Sequence, residues 1–105
     1  MRLIALFNLK PGISAETYED WARSVDLPTV RGLKSIDGFQ VDRTLAVMGS
    51  DATPPYQYIE IIDINSEDQF QADVSSAAMG EIAAQFQQMA DVTFLVMQSI
   101  EEKKA

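Results

Sequence analysis

The sequence predicts an α+β fold of order β-α-β-β-α-β, a four-stranded antiparallel sheet with both helices on one face. Three observations lead there. Strand-length segments, apolar on both sides or alternating, lie at residues 2–9, 39–48, 56–64 and 91–100. Stretches with helical apolar spacing follow the first and third of these, each opened by a serine four residues ahead of an aromatic, Ser14 before Tyr18 and Ser66 before Phe70. The 105 residues, 47% hydrophobic and 23% charged, are enough for a single domain over residues 1–105 with one core.

Residues 2–9 read as an interior strand, because Leu3, Ala5, Phe7 and Leu9 on one side oppose Ile4 and Leu6 on the other. Lys10-Pro11-Gly12 turns the chain. Tyr18, Trp21, Ala22 and Val25 then fall at i, i+3, i+4 and i+7, with Ser14 as N-cap. Pro28 is expected to end this helix near Asp26, leaving at most a short helical turn over 29–33 before Asp37-Gly38 closes the crossover. Residues 39–48 alternate, with Phe39, Val41, Arg43, Leu45 and Val47 on one side. Gly49 to Pro55 is a loop, and 56–64 a second interior strand. After Ser66, the positions Phe70, Val74, Ala78, Ile82, Phe86 and Met89 trace a helix, with a break or bend expected around Ser75-Ser76 and Gly80. The strand at 91–100 closes the fold, and 101–105 is a frayed charged tail.

Helices on one face leave the other face of an apolar sheet uncovered, and soluble monomers avoid such patches. Leu3, Ala5, Phe7 and Leu9 oppose Ile4 and Leu6 on the first strand, and Ile59 and Ile61 oppose Tyr58 and Ile62 on the third. Whichever face the helices leave bare would form such a patch, so a homodimer with facing sheets is expected.

Charge and composition narrow the function. The net charge is −8, which disfavours nucleic acid, and no basic residue occurs between positions 44 and 102. That acidic second half reads as a solvated face, or as a docking surface for a biosynthetic partner enzyme. No apolar run approaches a membrane span, and residues 3–7 are too few for a secretory signal, so a cytoplasmic protein away from membranes is expected. With no His and no Cys, the usual neutral-pH base and the usual haem, zinc and thiolate chemistry are missing. No metal and no cofactor are expected.

Glu60 carries the sharpest chemical signal. A carboxylate between Ile59 and Ile61 must be paired, exposed at a cavity, or neutralised. Unpaired and buried, it would have a raised pKa and serve as general acid or base; paired, it would form an ion bridge to Arg43 or Arg2. Asp26 is an acid at what should be the negative end of a helix, a mismatch that points to function. Arg43, among apolar neighbours on its strand, either reaches the edge or presents a cation to a developing anion. Tyr18 and Trp21 are core residues or the wall of an aromatic pocket, with Phe39 and Phe94 as further wall candidates. Asn8 and Tyr58 each offer a hydrogen bond to a polar ligand atom.

The first strand, the Pro-Gly turn, the Tyr-x-x-Trp helix, the Leu-Pro break, the Gly-Phe strand entry and Tyr-x-x-Glu in the third strand together resemble the ferredoxin-like, dimeric α/β-barrel superfamily. Within it, the chain is most similar to the REDY-like HapK family of prodigiosin-type pigment biosynthesis. That resemblance implies a ligand pocket between sheet and helices and a role in pigment and antibiotic synthesis. It also implies a small heteroaromatic ligand. Many relatives have a histidine where this chain has Asp26, so histidine or haem chemistry is not carried over. The expected activity is a cofactor-independent proton transfer, dehydration or cyclisation. The alternatives are a carrier that holds an intermediate without bond chemistry, and a cofactor-free monooxygenase.

Overall fold

The computed structural model describes residues 1–103 and has the expected element order. Strands β1 (Arg2–Leu9), β2 (Ile36–Arg43), β3 (Tyr58–Ile64) and β4 (Ala90–Met97) form one antiparallel sheet in the order β2-β3-β1-β4. The helices α1 (Ala15–Trp21), α2 (Leu27–Arg31), α3 (Glu67–Val74) and α4 (Ala77–Met89) lie on one face. Serine oxygens cap three of them: Ser14, Ser66 and Ser76 accept from the amides of Thr17, Gln69 and Met79 at 3.1, 3.2 and 3.2 Å. The chain enters α1 through Gly12 at φ +88°, a conformation glycine adopts without strain.

The boundary at Pro28 differs from expectation. Ala22–Asp26 forms a π turn, and the helical path continues through Pro28 to Arg31. Proline is excluded from an α-helix interior because its ring strikes the carbonyl four residues back and it cannot donate to it. Here the Leu27 amide donates to the Ala22 carbonyl five residues back, and the wider turn clears room for the ring that follows. Pro28 therefore sits at the start of α2, and Asp26 lies mid-path, not at a helix end.

The second helical stretch breaks at Ser75-Ser76 as expected, while Gly80 lies inside α4. Strand ends shift because partners run out. β2 begins at Ile36, with a register irregularity that takes Asp37 and Gly38 into the strand. It stops at Arg43, since beyond the Thr44 amide's bond to the Gln57 carbonyl its neighbour carries Pro54 and Pro55, which have no N–H. Leu45 and Met48 consequently project into solvent instead of pairing. β3 likewise begins only at Tyr58. β4 ends at Met97 opposite Arg2, the first residue of its partner, so 98–100 are not strand. Glu101 to Lys103 are exposed and irregular, and the rest of the expected tail, 104–105, lies outside the described residues. No helix among the described residues is long and apolar enough to cross a membrane.

Between sheet and helices the core divides in two. One cluster joins Ala5, Phe7 and Tyr58 of the sheet to Tyr18, Ala22 and Phe86 of the helices. The other gathers Val30, Ile36, Phe39, Ile62 and Ile64. On the opposite face Ile4, Leu6, Ile59 and Ile61 are only half-buried, and Leu95 and Met97 are each 42% exposed. That apolar face has no helix over it.

Candidate functional site

The seam between the two core clusters holds two acids. Asp26 lies between Ala22 of the first cluster and Val30 of the second, and Glu60 between Tyr58 and Ile62 in the same way. Strand alternation turns Glu60 inward with its neighbours at two-residue spacing. Helical phase does the same for Asp26, since Tyr18, Ala22, Asp26 and Val30 recur every four residues and all are buried. An α-helix drifts by about 40° over each such step. The π turn takes back part of that drift and holds Asp26 in line with the others.

The two side chains face a cavity of about 180 Å³ between sheet and helices. Sheet register shows where the room comes from. Val41, Glu60, Ala5 and Phe94 form one cross-strand row, and the methyl group of Ala5 leaves the floor open between Glu60 and Phe94. Leu3, Val30, Ile62, Ile82 and Phe86 supply apolar wall, Phe39 and Phe94 aromatic wall, and Gln87 a neutral polar group. Phe94 is 52% exposed, which puts the cavity mouth at the outer edge of β4, past the reach of the helices.

Asp26 and Glu60 are 6% and 3% exposed, and neither has a hydrogen bond or ion pair among the described residues. No Lys or Arg lines the cavity. Burial raises Asp26 to about 6; burial, and then the charge of Asp26, raise Glu60 to about 8. Just beside them the Tyr18 hydroxyl is fully buried and likewise has no hydrogen-bond partner among the described residues. Burial, followed by the charges of Glu60 and Asp26, pushes its ionisation far up, so it stays a neutral donor.

The ion-pair alternative for Glu60 does not hold in this structure. Arg2 is bound to Asp63 at 2.8 Å, and Arg43 to Glu19 at 2.6 Å. Arg43 therefore does not present its cation to the cavity. Its guanidinium makes two bonds to Glu19, which also accepts from the Tyr58 hydroxyl at 2.7 Å. This turns the polar end of Tyr58 away from the acids. The Trp21 indole N–H donates to Gln85 at 2.7 Å, and its ring stacks on Phe86 at 6.1 Å, one layer behind the cavity wall. Asn8 is exposed and clamps the 55–57 segment, donating to the Pro55 carbonyl and accepting from the Gln57 amide. The structure thus brings together Asp26, Glu60, Phe39 and Phe94 with Tyr18 beside them, and leaves Arg43, Tyr58, Trp21 and Asn8 outside.

Sequence reasoning passed over Glu19, which organises the outer cluster. Nothing local marks it, because its partners Arg43 and Tyr58 come from other elements. Asp73 escaped for the same reason: it accepts from the amide and hydroxyl of buried Ser35 at 3.0 and 2.7 Å and ties α3 to the segment before β2. The remaining cavity wall was visible only as the apolar periodicity of strands and helices.

Fold and site together define an α+β protein of the ferredoxin-like kind, with an apolar pocket and a carboxyl pair between its two layers. Its sequence matches the family of the REDY-like protein HapK over residues 1–100, and the chain belongs to that family. The crystal structure of HapK from Hahella chejuensis is 29% identical, covers 100% of this chain and 98% of its own, and superposes with a TM-score of 0.75. A dimeric ferredoxin-like protein from Thermobifida fusca is 18% identical, with 91% and 89% covered and a TM-score of 0.67. A mutant of SnoaB, a cofactor-independent oxygenase from Streptomyces nogalater, is 12% identical, with 96% and 93% covered and a TM-score of 0.71. These last two likenesses are of fold alone. No curated protein matches the chain.

Proposed function

We propose that this protein is a cofactor-independent acid–base enzyme of secondary metabolism, acting on a small heteroaromatic intermediate of pigment or antibiotic synthesis. One observation carries the reading: two buried carboxyls without a cation share an apolar cavity. Groups pushed to different pKa values by their surroundings make an acid and a base at one pH. Near neutrality Asp26, at about 6, is mainly carboxylate, and Glu60, at about 8, is mainly acid. In a dehydration, Asp26 takes a proton from carbon while Glu60 gives one to the departing hydroxyl, which leaves as water. A proton passing from Asp26 to Glu60 then resets the pair. In a tautomerisation the same two transfers move a proton from one substrate atom to another. General acid–base groups of this kind contribute about 10²–10⁴-fold.

Membership of the HapK family supports the metabolic setting, and the SnoaB likeness supports cofactor-free chemistry on this fold. The test is turnover. Purified protein is given candidate heteroaromatic pathway intermediates, and product and dissolved oxygen are followed. Turnover without oxygen uptake is the expected result. Oxygen consumed in step with substrate would favour a monooxygenase, and binding without any conversion would favour a carrier.

The uncovered sheet face supports a homodimer in which two sheets pack together, as does the likeness to a dimeric ferredoxin-like protein. Each apolar side chain covered contributes about 1.5–3 kcal/mol. Sedimentation is expected to show a dimer at micromolar concentration, and Ile61→Lys is expected to return it to monomer.

A further inference from the structure

We infer that the cavity selects a ligand with a single ring and a cationic or strongly N–H-donating nitrogen, such as an amine, amidine or protonated N-heterocycle, and rejects carboxylic acids. This deepens the proposed function and rests on reading the cavity as the substrate site.

Charge balance is the first ground. The side chains that could carry charge at the wall are Asp26 from the helical layer and Glu60 from the sheet; α3, α4 and β4 contribute apolar groups and Gln87. Both acids are more than nine-tenths buried and unpartnered among the described residues. An unpaired buried charge is costly, and the fold supplies no cation to offset it. A ligand that brings a positive charge or N–H donors offsets it, whereas a second carboxylate adds repulsion in a low-dielectric site. The Tyr18 hydroxyl, buried and unpartnered beside the acids, adds a donor on the protein's side and no positive charge.

Size is the second ground. An apolar cavity of about 150 Å³ takes up benzene. The present 180 Å³ therefore suits one aromatic ring with a small polar substituent, the ring between Phe39 and Phe94 and the substituent at the acids. Drug-sized ligands use cavities of about 300 Å³ and more.

Three near-isosteric probes test the inference on the intact protein: benzamidine, benzamide and benzoate, with charges of one positive, none and one negative. The only tryptophan, Trp21, stacks on the cavity-wall residue Phe86 and reports binding by fluorescence, with calorimetry as a second readout. Benzamidinium is expected to bind at least tenfold tighter than benzoate, with benzamide between them. That preference is expected to shrink in Asp26→Asn and in Glu60→Gln. Equal binding of benzamidinium and benzoate, tighter binding of benzoate, or no binding of any probe overturns the inference, as does a preference that survives in both variants. The wild-type comparison stands even if a variant fails to fold. Turnover separates this from the acid–base reading: charge selectivity with a fully active Glu60→Gln sinks the catalytic role and keeps the ligand class. Equal probe binding with an inactive Glu60→Gln does the reverse.

Discussion

Glu19, on the outer rim of α1, and Glu60, midway along β3, are the same side chain in opposite electrostatic settings. Glu19 accepts from Arg43 and Tyr58 and lies within 3.2 Å of Arg23; these bonds, those of Arg43 first, hold it down at about 2. Glu60 has no such partner, and desolvation followed by the nearby Asp26 charge lifts it to about 8. Both sit beside Tyr58, one against its hydroxyl and the other one alternation along its strand. The separation between them reflects pairing more than residue type. Arg2 and Arg43 are paired at the rim, which leaves the interior acids without a cation.

The largest expected effect breaks this contrast at its interior end. Glu60→Gln keeps the shape and removes the exchangeable proton, so turnover is expected to fall about 10²-fold or more. Melting temperature is expected to hold or rise, since an unpaired buried carboxyl no longer has to be accommodated. Full activity with a lowered melting temperature would show that the residue is structural.

Stability against pH sharpens the contrast next. A carboxyl whose folded pKa lies above its unfolded one binds more protons in the native state, so stability falls as pH rises through that interval. The interval runs from 3.8 to about 6 for Asp26 and from 4.5 to about 8 for Glu60. Each contributes a slope of at most about 1.4 kcal/mol per pH unit. Glu19 acts with the opposite sign: its stabilisation is present above 4.5 and is lost as pH falls towards about 2. Thermal melts are expected to peak in mildly acidic solution and to decline up to about pH 8. In Glu60→Gln the decline is expected to finish near 6, where Asp26 has titrated. A decline unchanged in that variant would remove Glu60 from the account.

The smallest effects belong to the rim. Glu19→Ala leaves the Tyr58 hydroxyl without its acceptor in a residue only 2% exposed, at a cost of about 1–3 kcal/mol. Turnover is expected to stay near wild type, because the acid pair is untouched. Arg43→Lys, at the exposed end of the cluster, is expected to change neither melting nor turnover appreciably. Loss of activity in either rim variant would mean that the outer cluster reaches the chemistry.

Glu60 was legible in the sequence because a charge inside Tyr-Ile-Glu-Ile-Ile has few places to go. Alternation put it on the face of Tyr58 and Ile62, and only the packing of the helices makes that face the inner one. The order of elements was legible from periodicity and from the serine caps. Arg43 was legible only as a choice between the edge and the cavity, because its direction is set by Glu19, 24 residues away on a packed helix. Strand ends were misjudged by a few residues because a strand lasts only as long as its neighbour offers hydrogen bonds, which its own residues do not encode. Asp26 drew notice as an acid at a helix end. It is instead buried within a helical path that Pro28 was expected to stop, and no local rule announces a π turn.

That π turn behaves as a one-residue insertion absorbed into a helix. Deleting Ser24 would remove the extra residue and leave an ordinary α turn that carries Asp26 and the residues after it in nearly the same phase. Deleting one residue from the regular turns of Ala15–Trp21 would instead swing everything after it by about 100° around the axis. The acid would then leave the cavity wall although no side chain at the site had been changed. A role assigned to position 26 by alignment with a relative therefore holds only where the two helices arrive at that position in the same phase. In this fold an insertion or deletion on the helix can switch the chemistry of the pocket as effectively as a substitution within it.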